Sequence, residues 1–230
     1  MIERGRESMH IENISKLGKW KEWVEQSRLL SEQWMNDVKK NGFKKSPTAT
    51  IFATIPSGVE HVCSELELDQ LKDGDMIVEV GTGPGPIIQG VLREVRAEIT
   101  YVAVELNPKF ANHLRETVQD SRLVVVNENA ANLTDIVKRY GPEASRVISS
   151  MPFSTNKKLT QSILGQIRDI LTPGGSFVMA NFTPESVMSV IRFFGRKNCK
   201  TGWAINGPFL LTVVAKNPQK KSPKTSSAGH

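Results

Sequence analysis

The sequence predicts an α/β chain in which a seven-stranded, mostly parallel sheet carries helices on both faces. Three observations predict it. Short apolar runs of strand length recur between residues 76 and 215. Stretches with helical apolar spacing separate most of them, and that alternation favours a parallel sheet wound on both sides. The first run ends in glycines at alternate positions, Gly81, Gly83 and Gly85, which lead into a helix.

The first strand is Met76-Ile77-Val78, followed by Glu79. The helix after the glycines carries Ile87, Ile88, Val91, Leu92 and Val95 at helical spacing. Strand, glycine turn and helix make a Rossmann-like nucleotide-binding unit, because glycine tolerates positive φ and lets backbone approach a ligand. The spacing is E-x-G-x-G-x-G rather than the dinucleotide G-x-G-x-x-G. Residues 100–104, Thr-Tyr-Val-Ala-Val, form the second strand and end in Glu105-Leu106-Asn107-Pro108. An acid at this tip, about 20 residues past the loop, is placed to accept both hydroxyls of a ribose. Asn107-Pro108 then starts a helix through Phe110, Leu114 and Val118.

The third run, residues 123–126, leads to Asn127-Glu128-Asn129-Ala130. The Asn129 side-chain carbonyl can accept a hydrogen bond without carrying charge, and Ala130 after it is small. The fourth strand, residues 146–150, runs into Met151-Pro152-Phe153. The Ser150 hydroxyl and the carbonyls beside Pro152 can accept hydrogen bonds, proline removes a competing donor, and Phe153 offers an apolar or π face. A helix over 159–171 ends at Thr172-Pro173-Gly174-Gly175, and a fifth strand follows at 176–181. A helix over 184–194 precedes the last two strands, 203–205 and 210–215.

The chain has 230 residues, 39% of them hydrophobic, enough for a sizeable core. Residues 46–217 read as one domain, preceded by a helical extension over 1–45 and followed by a basic, Pro/Ser/Lys-rich disordered tail over 218–230. The two cysteines, Cys63 and Cys199, and four scattered histidines have no metal or disulfide spacing, so no metal is expected, and the cysteines suit a reducing, cytoplasmic compartment. The sequence has no apolar run of membrane-spanning length and no secretory signal. The net charge of +6 is concentrated at Lys39-Lys40, Lys44-Lys45, Lys157-Lys158, Arg196-Lys197 and in the tail. Such clusters suit an anionic lipid surface or a nucleic-acid backbone, and equally a solvated face. Residues 19–40 predict an amphipathic helix with Trp20, Trp23, Val24, Leu30, Trp34 and Val38 near one face and lysines at both ends. Tryptophans and basic flanks favour a bilayer interface, although a helix docked on protein would use the same stripe.

With Glu79, Gly81, Thr82, Gly83 and Gly85, then Glu105 and Leu106, then Asn129 and Ala130, the chain resembles the class I SAM-dependent methyltransferases. The cofactor implied is S-adenosyl-L-methionine, with Glu79 supporting the loop or the methionine ammonium and Ser149 beside it. Asn129 departs from the acid usual at that position. Ser150-Met151-Pro152-Phe153 resembles the Asn/Asp/Ser-x-Pro-Tyr/Phe motif of amino-directed members, which implies that Ser150 and the carbonyls beside Pro152 orient an amine with Phe153 as a wall, and Tyr140 is a guess for the base. The whole chain is similar to the bacterial phospholipid N-methyltransferase family. That resemblance implies a phosphatidylethanolamine amine as substrate, at an anionic membrane surface on the cytoplasmic side. A weaker resemblance is to rRNA adenine dimethyltransferases, which carry a further helical domain after the catalytic one. It keeps an RNA partner in view, beside a small soluble amine.

Overall fold

The computed structural model describes residues 56–151, 153, 156–205 and 209–217. The helical extension over 1–45, the tail over 218–230 and Pro152 lie outside the described residues.

Seven strands form one sheet: β1 (Met76–Val80), β2 (Thr100–Val104), β3 (Leu123–Val126), β4 (Ala144–Ser149), β5 (Leu171–Asn181), β6 (Cys199–Ile205) and β7 (Phe209–Lys216). Their order is β3-β2-β1-β4-β5-β7-β6. The pairs β1–β2, β1–β4, β2–β3 and β4–β5 are parallel, and β7 runs antiparallel to both β5 and β6. The helices are α1 (Pro56–Glu65), α2 (Pro86–Glu94), α3 (Pro108–Thr117), α4 (Leu133–Lys138), α5 (Lys157–Ile170) and α6 (Pro184–Phe194).

The central strands are apolar on both sides because both sides are covered. Ile77, Tyr101, Ile148 and Val178 pack with Val59 and Val62 of α1, Ile88 and Val91 of α2 and Leu114 of α3. Val78, Val102, Val147 and Phe177 pack with Ile136 of α4, Ile163 and Ile167 of α5 and Val190 of α6. Each fully buried aliphatic or aromatic side chain contributes about 1.5–3 kcal/mol relative to exposure, so these two layers carry most of the stability.

Two helices have no counterpart in the sequence reading. Helix α1 shows its signal in Val59, Val62, Cys63 and Leu66, spaced i, i+3, i+4, i+7 and all buried. Helix α4 is only six residues long, too short for a period to register. Strand β5 begins at Leu171 rather than after the glycines, because Leu171 pairs with Ala144 across a register shift and Gly174 takes a φ of 80° between them. Strand β6 begins at Cys199, four residues before Trp203, the expected start.

Candidate active site

The strand order reverses between β1 and β4, where successive connections depart toward opposite sides. In an open α/β sheet a ligand crevice lies at such a switch point, beyond the carboxyl ends of the strands. The chain leaves β1 there as the glycine loop, and leaves β4 there as segment 150–153.

The loop is shaped by its glycines. Gly81, Gly83 and Gly85 take φ values of 74°, 55° and 83°. A β-carbon on Gly81 would lie 2.5 Å from Met151 Cγ, and one on Gly85 would lie 2.3 Å from Leu114 Cδ2. At Gly83 it would meet nothing within 4 Å, so the backbone there borders open space. Thr82 is buried, and its carbonyl accepts from the Gly85 N–H at 3.0 Å.

Two buried acids lie at this loop, and one of them holds it. Glu105, at the tip of β2, accepts from the Gly83 N–H at 2.8 Å and from the Asn107 N–H at 2.7 Å. Each carboxylate oxygen keeps further acceptor capacity. Burial pushes its carboxyl up, and these backbone donors pull it back down in part. Glu79 lies beneath the loop and is 1% exposed. Its Oε2 accepts from the Tyr101 hydroxyl at 2.6 Å, while Oε1 is buried with no hydrogen-bond partner among the described residues. Burial pushes the Glu79 carboxyl up to about 8, against the Tyr101 hydrogen bond that lowers it.

Asn127 joins the tips of β2 and β3, its amide donating to the Glu105 and Leu106 carbonyls at 2.8 and 3.0 Å. Leu106 itself stands exposed beside that tip. The Asn129 carbonyl accepts from the Ala131 N–H at 2.9 Å, so it caps the short helical turn and keeps one lone pair for another donor. Ala130 is buried in the apolar layer beneath.

Segment 150–153 is tied to the loop. The Ser150 hydroxyl donates to the Gly81 carbonyl at 3.2 Å. Ser149, fully buried, donates to the Val80 carbonyl and accepts from the Met151 N–H, each at 3.1 Å. Two of the expected roles are not borne out by position. Phe153 does not wall an open site: it is 2% exposed and packs edge-on to Phe177 with ring centroids 6.2 Å apart, so it anchors the segment in the core. Tyr140 follows α4 at the amino end of β4, and its neighbour Gly141 lies against Met76, the first residue of β1. The whole length of the strand therefore separates Tyr140 from Ser150, and it is not brought to the site. Tyr101, Asn127, Thr160 and Asn181 were missed by the sequence reading, because an isolated polar residue in or beside an apolar run has no periodic signature.

No protein-family model matches the chain. Over 109 residues it is 31% identical to an ornithine lipid N-methyltransferase of Singulisphaera acidiphila, covering 46% of this chain and 57% of that protein. Over 94 residues it is 33% identical to ribosomal RNA small subunit methyltransferase A of Caulobacter vibrioides, covering 40% of this chain and 34% of that protein. The chain thus matches about half the length of the first of these curated relatives and about a third of the second. Among solved structures, a precorrin-6y C5,15-methyltransferase from Geobacter metallireducens superposes with a TM-score of 0.57 at 16% identity, covering 73% of this chain and 92% of that one. A SAM-dependent O-methyltransferase from Thermotoga maritima gives 0.56 at 13% identity, covering 79% and 71%.

The fold is the one these methyltransferase structures share, and both curated relatives are methyltransferases, a class whose cofactor is S-adenosylmethionine. The residues present fit that cofactor. Open backbone at Gly83, a ribose-sized acceptor pair at Glu105 and an unpartnered buried carboxylate oxygen at Glu79 match a nucleoside bearing an ammonium. Among the described residues no group of side chains could hold a metal ion, and no helix is long and apolar enough to cross a membrane.

Proposed function

We propose that the chain is a SAM-dependent N-methyltransferase acting on the amine of a phospholipid headgroup, phosphatidylethanolamine or its partly methylated forms, at a membrane surface. The observation that carries this is the bond from Ser150 to the Gly81 carbonyl, which sets an amine-orienting segment against the cofactor loop. The lipid substrate is supported by the match to an ornithine lipid N-methyltransferase and by the tryptophans and lysines of residues 19–40.

S-adenosylmethionine supplies a methyl group already activated on a sulfonium. The chain's task is to hold a nitrogen lone pair in line with it, a positioning effect that can contribute several kcal/mol. The loop glycines, Glu79 and Glu105 hold the cofactor, and Asn129 and Ala130 meet its adenine. Because the Ser150 hydroxyl donates to Gly81, its lone pairs remain to accept an amine N–H. The amine meets Ser150 as the free base, its proton having passed to water.

The test is transfer of labelled methyl from SAM to anionic vesicles with and without phosphatidylethanolamine, beside total RNA and free ethanolamine. Label in the lipid fraction only, and only with the amine lipid present, is the expected result. Label in RNA would move the substrate to an adenine amine, as the second curated relative's name suggests.

A further inference from the structure

Segment 150–153 is fastened at four places, by Ser150 to Gly81, by the Met151 N–H to Ser149, by the Phe153 carbonyl to Thr160 and by the Met151 carbonyl to Asn181. The first two lie on the β1 and β4 tips that bear the predicted motifs. The Thr160 hydroxyl reaches the Phe153 carbonyl at 3.0 Å from α5. The fourth comes from β5. Strand β4 ends at Ser149, opposite Met179, and β5 continues for two more residues. Phe177, Met179 and Asn181 alternate onto one face. Phe177 holds the Phe153 ring, and Asn181, at the end of the same row, holds the Met151 carbonyl through its amide at 3.1 Å.

Asn181 is 2% exposed, and both ends of its amide are used. The side-chain carbonyl accepts from the Thr183 N–H and hydroxyl, each at 3.1 Å, and the amino group donates to Met151. Thr183 in turn meets Ser186 at 2.9 Å, on the first turn of α6. The amide can therefore neither flip nor swing without losing a buried hydrogen bond. A peptide carbonyl fixed in direction fixes the peptide plane that follows it. The carbonyl fixed here is that of Met151, in the middle of the segment.

We propose that Asn181 is a positioning residue for methyl transfer: by holding the Met151 carbonyl it sets the direction in which segment 150–153 presents its acceptors to the amine. This rests on the reading of that segment as amine-orienting. A residue that only braces the start of α6 would use its carbonyl toward Thr183 and have no need of the amino group.

The amino group can be removed alone. Asn181→Asp keeps the acceptor for Thr183 and sets an oxygen against the Met151 carbonyl, two acceptors facing each other. Thr183→Val does the reverse, deleting the hydroxyl's bonds to Asn181 and Ser186 on the bracing side and leaving the donor intact. Methionine precedes proline once in the chain, so full-length protein labelled with carbonyl-13C methionine and 15N proline shows one carbonyl–nitrogen resonance, that of Met151-Pro152. In Asn181→Asp that resonance should move upfield as the hydrogen bond is lost. The kcat on the preferred acceptor should fall about 10- to 100-fold, with SAM Kd near wild type and the thermal midpoint lowered by the two facing acceptors. Thr183→Val should leave both the resonance and kcat unchanged.

An unmoved resonance, an unchanged kcat or a loss of SAM affinity in step with kcat would each overturn the proposal. If the wild type methylates RNA or free ethanolamine instead of lipid, the lipid reading fails, and Asn181 is judged by the same comparison on that acceptor. Transfer to no acceptor overturns both.

Discussion

At the scale of single residues the site sets two carboxyl groups in different surroundings. Glu105 is met by two backbone N–H groups, while Glu79 has one phenol and an oxygen with no partner. Glu79 therefore favours its neutral form. Its folded value of about 8 lies above the ordinary carboxyl value of 4.5, so between those limits the folded protein holds a proton that the unfolded chain has released. Folding then takes up a proton, and stability falls as pH rises through that window, by up to about 1.4 kcal/mol per unit. Glu79→Gln removes the titration and can still accept from Tyr101. Urea unfolding at pH 5, 7 and 9 should show the variant gaining on the wild type as pH rises, and a constant difference across the series would reject a neutral Glu79. Glu105→Ala frees the Gly83 and Asn107 N–H groups and removes the proposed ribose acceptor. Hydrogen bonds to a charged group contribute about 1.5–3 kcal/mol, so SAM Kd should rise about tenfold or more by calorimetry. Unchanged affinity would take Glu105 out of the cofactor site.

At the scale of elements the site is, besides the tip of β3, three strand tips, and two of them contribute through one contact. Met151 lies over Gly81, so the β1 and β4 connections share a surface with no room for a methyl group. Gly83 has room but a positive φ, so Gly83→Ala should cost about 1–2 kcal/mol of backbone strain and set a methyl group in the open space the cofactor would use. Gly81→Ala adds a clash with Met151 Cγ to the same strain, and should lower the thermal midpoint further and weaken SAM binding. Met151→Ala in the same chain should relieve the added part, a coupling that a double-mutant cycle on unfolding reads directly. Additive losses would place the two residues out of contact. These tips were legible in the sequence because each closes an apolar run with a residue of special backbone or charge: glycines after β1, Glu105 and Asn107-Pro108 after β2, Ser150 and Pro152 after β4. What holds them was not legible. Tyr101 and Asn181 lie inside strands whose pattern says only buried, and their partners stand 22 and 30 positions away in the chain. The Phe153 expectation failed for the converse reason, since an aromatic after a proline reads alike whether its ring faces a crevice or, as here, the Phe177 ring. Tyr140 failed because sequence distance from β4 says nothing of which end of the strand a residue flanks.

At the scale of the whole molecule, the crevice at the switch point and the positive charge pose the same question, what would bring the proposed lipid amine to Ser150. Two forces are available, and they scale differently. Attraction between a chain of net charge +6 and an anionic bilayer is screened over about 10 Å at 0.1 M salt, so it weakens steeply as salt is added. Burial of tryptophan in the interface is nearly indifferent to salt. Residues 19–40 hold Trp20, Trp23 and Trp34, three of the chain's four tryptophans, between flanking lysines. If that segment is the membrane contact, Trp34→Ala should lower the partition onto anionic vesicles by about tenfold at every salt concentration, the loss of one large apolar side chain from the interface. The salt slope should stay as in the wild type, because no charge has changed, and SAM affinity should be untouched, because the cofactor loop lies in residues 81–85. Vesicle sedimentation from 50 to 500 mM salt, beside calorimetric titration with SAM, reads both quantities on the same protein. A variant that sediments like the wild type but binds SAM more weakly would make the tryptophans a cover on the methyltransferase domain, and the attraction to lipid would then rest on the lysines alone.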